Sequence, residues 1–399
     1  MFSVYFVAGD MGPEIYSLRG VQGITAGIIL AFSHLGVETT MMREALYWMK
    51  QGDNEKVKEY ATQSILSRFI GFIILVPIVA GYLIYLSMTK YDGGYLWLFG
   101  LYLAGSCISA LNNSMALIVR SEGGYVFSQF VTTLNADVFS GLAILVYLEW
   151  GANVYLVFYA LSSIPVLFIF STRIRKLFSF KYLKIGPTLK KIKDSKYLWL
   201  RSYLDYFKTN ADSLLISILF PPAIMGIYSV YKLLENMARS FIEGFFDVLA
   251  QRVVQFKGQC ERLIQEEKKY NYVRWAVIGL VVIVGLVFSI NPQFFIQLVN
   301  LSKYAYMDLI VYTVLLGCFI WLIGKYEGNM IALFASSKTT FNLGIVYFVL
   351  TVISYVWLFV IHSIEGALLQ RITIWVAGTI INIILFKKNR LQYYTHINK

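Results

Sequence analysis

The stretch TQSILSRFIGFIILVPIVAGYLIYLSM, residues 62–88, holds one charged residue, Arg68, and its last nineteen positions hold none. At a rise of about 1.5 Å per residue, nineteen helical residues reach roughly 28 Å, close to the roughly 30 Å hydrocarbon thickness of a bilayer. A helix of that length with no polar side has no face for water, so the stretch reads as a spanning segment.

Ten further stretches read the same way. In chain order the eleven are A 17–36, B 62–88, C 95–119, D 125–148, E 153–171, F 197–220, G 223–253, H 272–290, I 305–324, J 339–361 and K 364–386. Span A is the most amphipathic, because it carries Arg19, Gln22, Thr25, Ser33 and His34. The chain as a whole is 58% hydrophobic and 15% charged, against about 45–50% and 25% in soluble domains. A soluble globule, a disordered chain and a disulfide scaffold are excluded together, and the fold expected is an all-α polytopic membrane protein.

Catalytic chemistry has little to stand on. Cys107, Cys260 and Cys318 lie far apart and read as packing thiols, and His34, His362 and His396 are scattered. No phosphate-binding loop, zinc-protease or nucleophile-elbow motif occurs, so no catalytic residue, metal site or cofactor is expected. The net charge of +12 does not point to nucleic acid, because the basic residues sit at the ends of spans. Counted with the span ends Arg252 and Arg274, the connections on one side hold 26 lysines and arginines, and those on the other hold two, Lys90 and Lys303. Positive charge is retained in the cytoplasm. That places the C-terminus and the basic connection 172–196 there, in a multi-pass membrane protein. The expected organisation is an N-terminal lobe over 1–171, a cytoplasmic linker over 172–196 suited also to anionic headgroups, a six-span C-terminal lobe over 197–386 and a tail over 387–399. No connection is long enough for a soluble domain.

Ionisable side chains inside spans are costly and mark candidate sites. On span F, Arg201, Asp205, Lys208 and Asp212 recur at i, i+4, i+7 and i+11, one face over roughly 16 Å. Span G carries Lys232, Glu235, Arg239 and Glu243 at i, i+3, i+7 and i+11, extended by Tyr228 and Asp247. Two readings stand: a hydrated cavity, and ion pairing that glues the helices. Arginine forks and lysine point charges suit an anionic, phosphate-bearing cargo, with the carboxylates balancing the empty site.

The first half differs. Span C offers Ser106, Ser109, Asn112 and Asn113, and span D offers Gln129, Thr133 and Asp137, fit for sugars or for interhelical hydrogen bonds. Asp137 is a solitary carboxylate and a candidate for proton or cation coupling, the alternative being a local bond. Arg371 and Glu365 are expected to pair near the outer mouth. Aromatic side chains gather at span ends, with Tyr203, Tyr206 and Tyr231 as candidates for stacking on sugar rings.

The stretches GPEIYSL (12–18), HLGVETTMMREALYWMKQGDNEKVKEYATQSI (34–65) and TNADSLLISILFPPAIMGIYSVYKLLENMARS (209–240) resemble the Wzx-type oligosaccharide-lipid flippases. These form a branch of the multidrug, oligosaccharidyl-lipid and polysaccharide exporter superfamily. The resemblance runs through nearly the whole chain in span order, on loose motifs. It implies two MATE-like helical lobes around a central cavity, alternating access, and a polyprenyl-diphosphate-linked oligosaccharide carried to the periplasmic leaflet for O-antigen or other surface polysaccharide. The implied partners are that lipid-linked oligosaccharide, membrane lipids and other polysaccharide assembly proteins. Asp212, Gly226 and Tyr228 match motif positions, whereas Lys208, Lys232 and Arg239 rest on stripe geometry alone. The family pattern of twelve places a spanning helix before Gly-Pro-Glu-x-Tyr, where this chain has only residues 1–10; the favoured expectation is a start upstream of Met1, and the alternative is a lost helix with an incomplete first lobe. The family also often has a proline near the end of span G, and none stands at 248–254. The alternatives are a drug or metabolite antiporter of the same superfamily, a membrane polysaccharide polymerase or glycosyltransferase, and a non-transporting product.

Overall fold

The computed structural model describes residues 7–38, 40, 48, 51–121, 124–255, 260–298, 300–335 and 337–395. Part of the connection between spans A and B, including Arg43 and Lys50, lies outside them. Backbone groups in lipid have no water to bond, so regular helices carry the chain across, and no strand occurs among the described residues.

The helices are α1 (Gly9–Ser33), α2 (Asn54–Lys90), α3 (Leu96–Ser121), α4 (Tyr125–Thr133), α5 (Ser140–Leu161), α6 (Ile164–Ile174), α7 (Ile185–Asp194), α8 (Lys196–Leu219), α9 (Pro222–Gln255), α10 (Cys260–Ile290), α11 (Pro292–Leu298), α12 (Met307–Phe334), α13 (Ser337–Ser354), α14 (Val356–Ile361) and α15 (Ile364–Thr395). A π-helical stretch, Leu134–Phe139, joins α4 to α5, and a short 3₁₀ turn, Phe180–Tyr182, precedes α7.

Every one of the eleven expected spans falls on helix. Among the described residues, however, eight helical stretches are long and apolar enough to cross a membrane. The shortfall has physical causes. Helices α8 and α9 form as expected but carry the charged stripes. Span D is divided by the π-helical stretch, and its second half runs with span E in one apolar stretch, Gly141–Ile174. Inside that stretch Gly151 leaves helical geometry at φ 78°, where the sequence puts the connection between D and E.

The chain forms two compact units, Met1–Gly226 and Ile227–Lys399, which divide one turn into α9. In the first, α1 packs against α2, α3 and α8, and α3 against α2 and α6. Gly12 at φ 75° breaks α1 just before Pro13, with helical turns on both sides. The start of α9 crosses that break so closely that a Cβ on Gly226 would lie 1.7 Å from the Pro13 carbonyl oxygen. In the second unit, α12 and α15 pack along each other, joined by α10, α13 and α14. Its core is built on Phe246, Tyr270, Leu322, Tyr326 and Met330.

Candidate functional site

The second unit assembles the charged stripe of α9 around one buried carboxylate. Glu235 is 2% exposed and accepts a hydrogen bond at 2.6 Å from Arg371, itself 3% exposed, on α15. Arg239, one turn on, approaches Glu235 at 3.5 Å and Glu243 at 3.6 Å through its two terminal nitrogens. Lys232 stands 3.8 Å from the second oxygen of Glu235. One turn of helix separates each of these residues from the next, which is why the i, i+3, i+7, i+11 spacing brings them into one row.

Glu235 and Arg239 line a narrow crevice, with about 10 Å³ open to a water-sized molecule, bordered by Val314, Gly317, Cys318 and Trp321 of α12 and Trp375 of α15. Gly317 makes room for Trp375, whose ring carbon would lie 2.1 Å from a Cβ there. Arg239 and Lys325 approach the Trp321 ring, at 6.0 and 4.5 Å, and Arg371 approaches Trp375 at 5.8 Å. Among the described residues, four cations, Lys232, Arg239, Lys325 and Arg371, thus share the region with two carboxylates, Glu235 and Glu243. The Arg239 guanidinium has paired N–H donors and Lys232 is a point charge, chemistry of the kind that suits anions.

Arg371 bonds to Glu235 and not to the expected Glu365, which takes the hydroxyl hydrogen of Ser363. Tyr228 is fully buried against Tyr231, ring centroids 5.2 Å apart, so both pack the protein interior rather than line an open surface. Lys208 and Asp212 lie on α8 in the first unit. Lys208 is half-buried, and Asp212 is 3% exposed and bonds to the Ser213 backbone N–H at 2.7 Å. The side chains of Arg201, Asp205, Asp247 and Asp137 lie outside the described residues. On α3 the Asn112 amide reaches beyond its helix and donates to the Ser163 carbonyl at 2.7 Å, whereas the Ser106 hydroxyl donates to the Tyr102 carbonyl one turn back on the same helix.

Two constellations escaped the sequence reading. Arg68 is completely buried and pairs with Glu38 at 2.6 Å, while donating to Ser114, to Ser33 and to the Leu30 carbonyl. The signal was present, since Arg68 is the sole charge of the quoted stretch. Arg19 donates to the Tyr16 hydroxyl at 2.9 Å and lies 4.9 Å from the Tyr159 ring centroid, a cation held by tyrosines.

No family model matches the chain, and no curated protein matches it in sequence. Solved structures match it in fold. An inward-facing conformation of a multidrug resistance MATE family transporter of the MOP superfamily superposes with a TM-score of 0.71 at 16% identity, covering 98% of this chain and 94% of that one. An outward-facing conformation of such a transporter gives 0.56 at 15% identity, over 100% and 92%. A MOP superfamily transporter from Pyrococcus furiosus, described as having a binding pocket of reverse polarity that suggests a different function, gives 0.54 at 16% identity, over 98% and 92%. The chain is an all-α, multi-pass membrane protein with the fold of the MATE transporters of the MOP superfamily.

Proposed function

We propose that this protein is a transporter, not an enzyme, which moves a polyprenyl-diphosphate-linked oligosaccharide across the bacterial inner membrane by alternating access, for O-antigen or another surface polysaccharide. The observation that carries the reading is the cationic row on α9: Lys232 and Arg239 beside a crevice walled by Trp321 and Trp375. A diphosphate matches the charge and the forked donors, and the indole faces suit the apolar or sugar portion next to it. The fold supports the transport part of the reading, and the cations described at the site argue against an antiporter of cationic drugs, which calls for an acidic site. In this reading the basic connections and the C-terminus face the cytoplasm, and other polysaccharide assembly proteins are partners.

The test is complementation of a cell that lacks its own repeat-unit flippase. The intact chain restores surface polysaccharide. Arg239→Gln and Lys232→Gln each abolish it while the protein still accumulates in the membrane. Full polysaccharide with either variant overturns the assignment of the diphosphate to this row.

A further inference from the structure

Helix α7 and the 3₁₀ turn before it run beside the first two turns of α2. The Ser179 backbone N–H donates to the Thr62 hydroxyl at 3.0 Å, the Tyr182 hydroxyl donates to Glu55 at 2.7 Å, and Lys191 meets Glu59 at 3.5 Å and lies over the Tyr60 ring at 3.3 Å. The bond to the Glu55 carboxylate raises the pKa of the Tyr182 phenol. Helix α2 is 37 residues long, about 55 Å at 1.5 Å per residue, and so outreaches a hydrocarbon layer of about 30 Å. Its charged first turns end at Thr62, where the apolar run opens. The segment docked along Glu55 to Thr62 is therefore held at headgroup level.

Docking uses only part of the apolar surface of α7. Thr188 is buried, and Lys191 and Ile192 are half-buried against the protein. Ile185 and Leu189, at i and i+4, form a separate stripe that faces outward, 64% and 50% exposed, and Phe180 and Leu183 just before it are 82% and 46% exposed. Lys193 continues the same stripe at i+8, and Lys184 and Lys190 flank it, all three exposed and without an ion pair among the described residues. Residues 172–196 hold nine lysines and arginines against one acid, Asp194. An apolar stripe bordered by lysines on a short helix is the pattern of a segment lying in a membrane interface, and its charge complements anionic headgroups.

We propose that Phe180–Asp194 is a membrane-surface strap: its exposed apolar side chains enter the bilayer interface and its lysines hold anionic phospholipid headgroups. Such a strap ties the first unit to the lipid surface at the start of α2.

Spin labels at Leu189→Cys and Lys190→Cys test this in the full chain reconstituted into vesicles, with the signal of the labelled parent subtracted. Accessibility is read to oxygen, which partitions into lipid, and to a water-soluble nickel chelate. In phosphatidylcholine with phosphatidylglycerol, the oxygen-to-nickel ratio at 189 is several-fold above that at 190. It falls toward the 190 value in phosphatidylcholine alone, and falls likewise when Lys190→Gln and Lys193→Gln accompany a label at 189. Equal ratios at 189 and 190 in both vesicles put the strap in water and overturn the proposal. A high ratio at 189 that ignores both lipid charge and the glutamine substitutions overturns the headgroup contact, and a label shielded from both relaxants shows a protein covering this surface instead.

Discussion

Glu235 and Arg239 are neighbours on one helix face, yet their surroundings give them different work. Glu235 and Arg371 are both withdrawn from solvent and bonded at 2.6 Å. Removing one partner of such a pair leaves the other charge buried, at a cost of about 3–5 kcal/mol. Glu235→Gln should therefore lower the unfolding temperature of the purified protein in detergent, and joining it to Arg371→Gln should recover much of the loss. Arg239 is half-exposed and its contacts with carboxylates are long, 3.5 and 3.6 Å. Such long contacts from a partly exposed arginine hold less than the buried 2.6 Å pair, so Arg239→Gln should lower the melting temperature much less than Glu235→Gln does while transport is lost. An Arg239→Gln protein that melts as early as Glu235→Gln would assign this arginine to packing.

Among the elements, α1, α2 and α3 are fastened by a single side chain. Arg68 of α2 reaches Leu30 and Ser33 of α1, Glu38 just beyond α1, and Ser114 of α3. Arg68→Leu should reduce accumulation of the protein sharply, because it strands the Glu38 carboxylate; Arg68→Leu with Glu38→Gln should restore part of it, as read by membrane yield. Close helix approach makes a second prediction. A methyl group at Gly226 would overlap the Pro13 carbonyl, which is backbone and cannot swing aside, so Gly226→Ala should impair folding. Gly23→Ala, which meets nothing within 4 Å, should not. Both are compared by the fraction of protein recovered as a single species in detergent.

The elements were the legible part of the sequence. A charge-free run such as 70–88 specifies its own helix, because the decision is local to the run. Pairings across the unit were not legible: Glu235 and Arg371 are 136 positions apart, and the nearby Glu365 offered a local partner that the fold does not use. Arg68 stood out as a charge, but its partner Glu38 lies in a connection, where no period points to it. Gly226 was visible as a motif position, and its physical reason, the crossing over Pro13, came only with the fold.

At the scale of the whole molecule, the chain has two helical units and the fold of the MATE transporters, and the cargo in the proposed function rests on the charge of the site. In the proposed function the four cations and two carboxylates described on α9, α12 and α15 are matched to an anion. The most direct measurement follows a fluorescent polyprenyl-diphosphate oligosaccharide in vesicles containing the purified protein, scored by how fast inner-leaflet lipid becomes reachable by an external enzyme that cannot cross the bilayer. The account predicts exchange well above that of protein-free vesicles, abolished by Arg239→Gln. Exchange no faster than in protein-free vesicles, from a correctly folded preparation that instead exchanges a cationic drug, would contradict it.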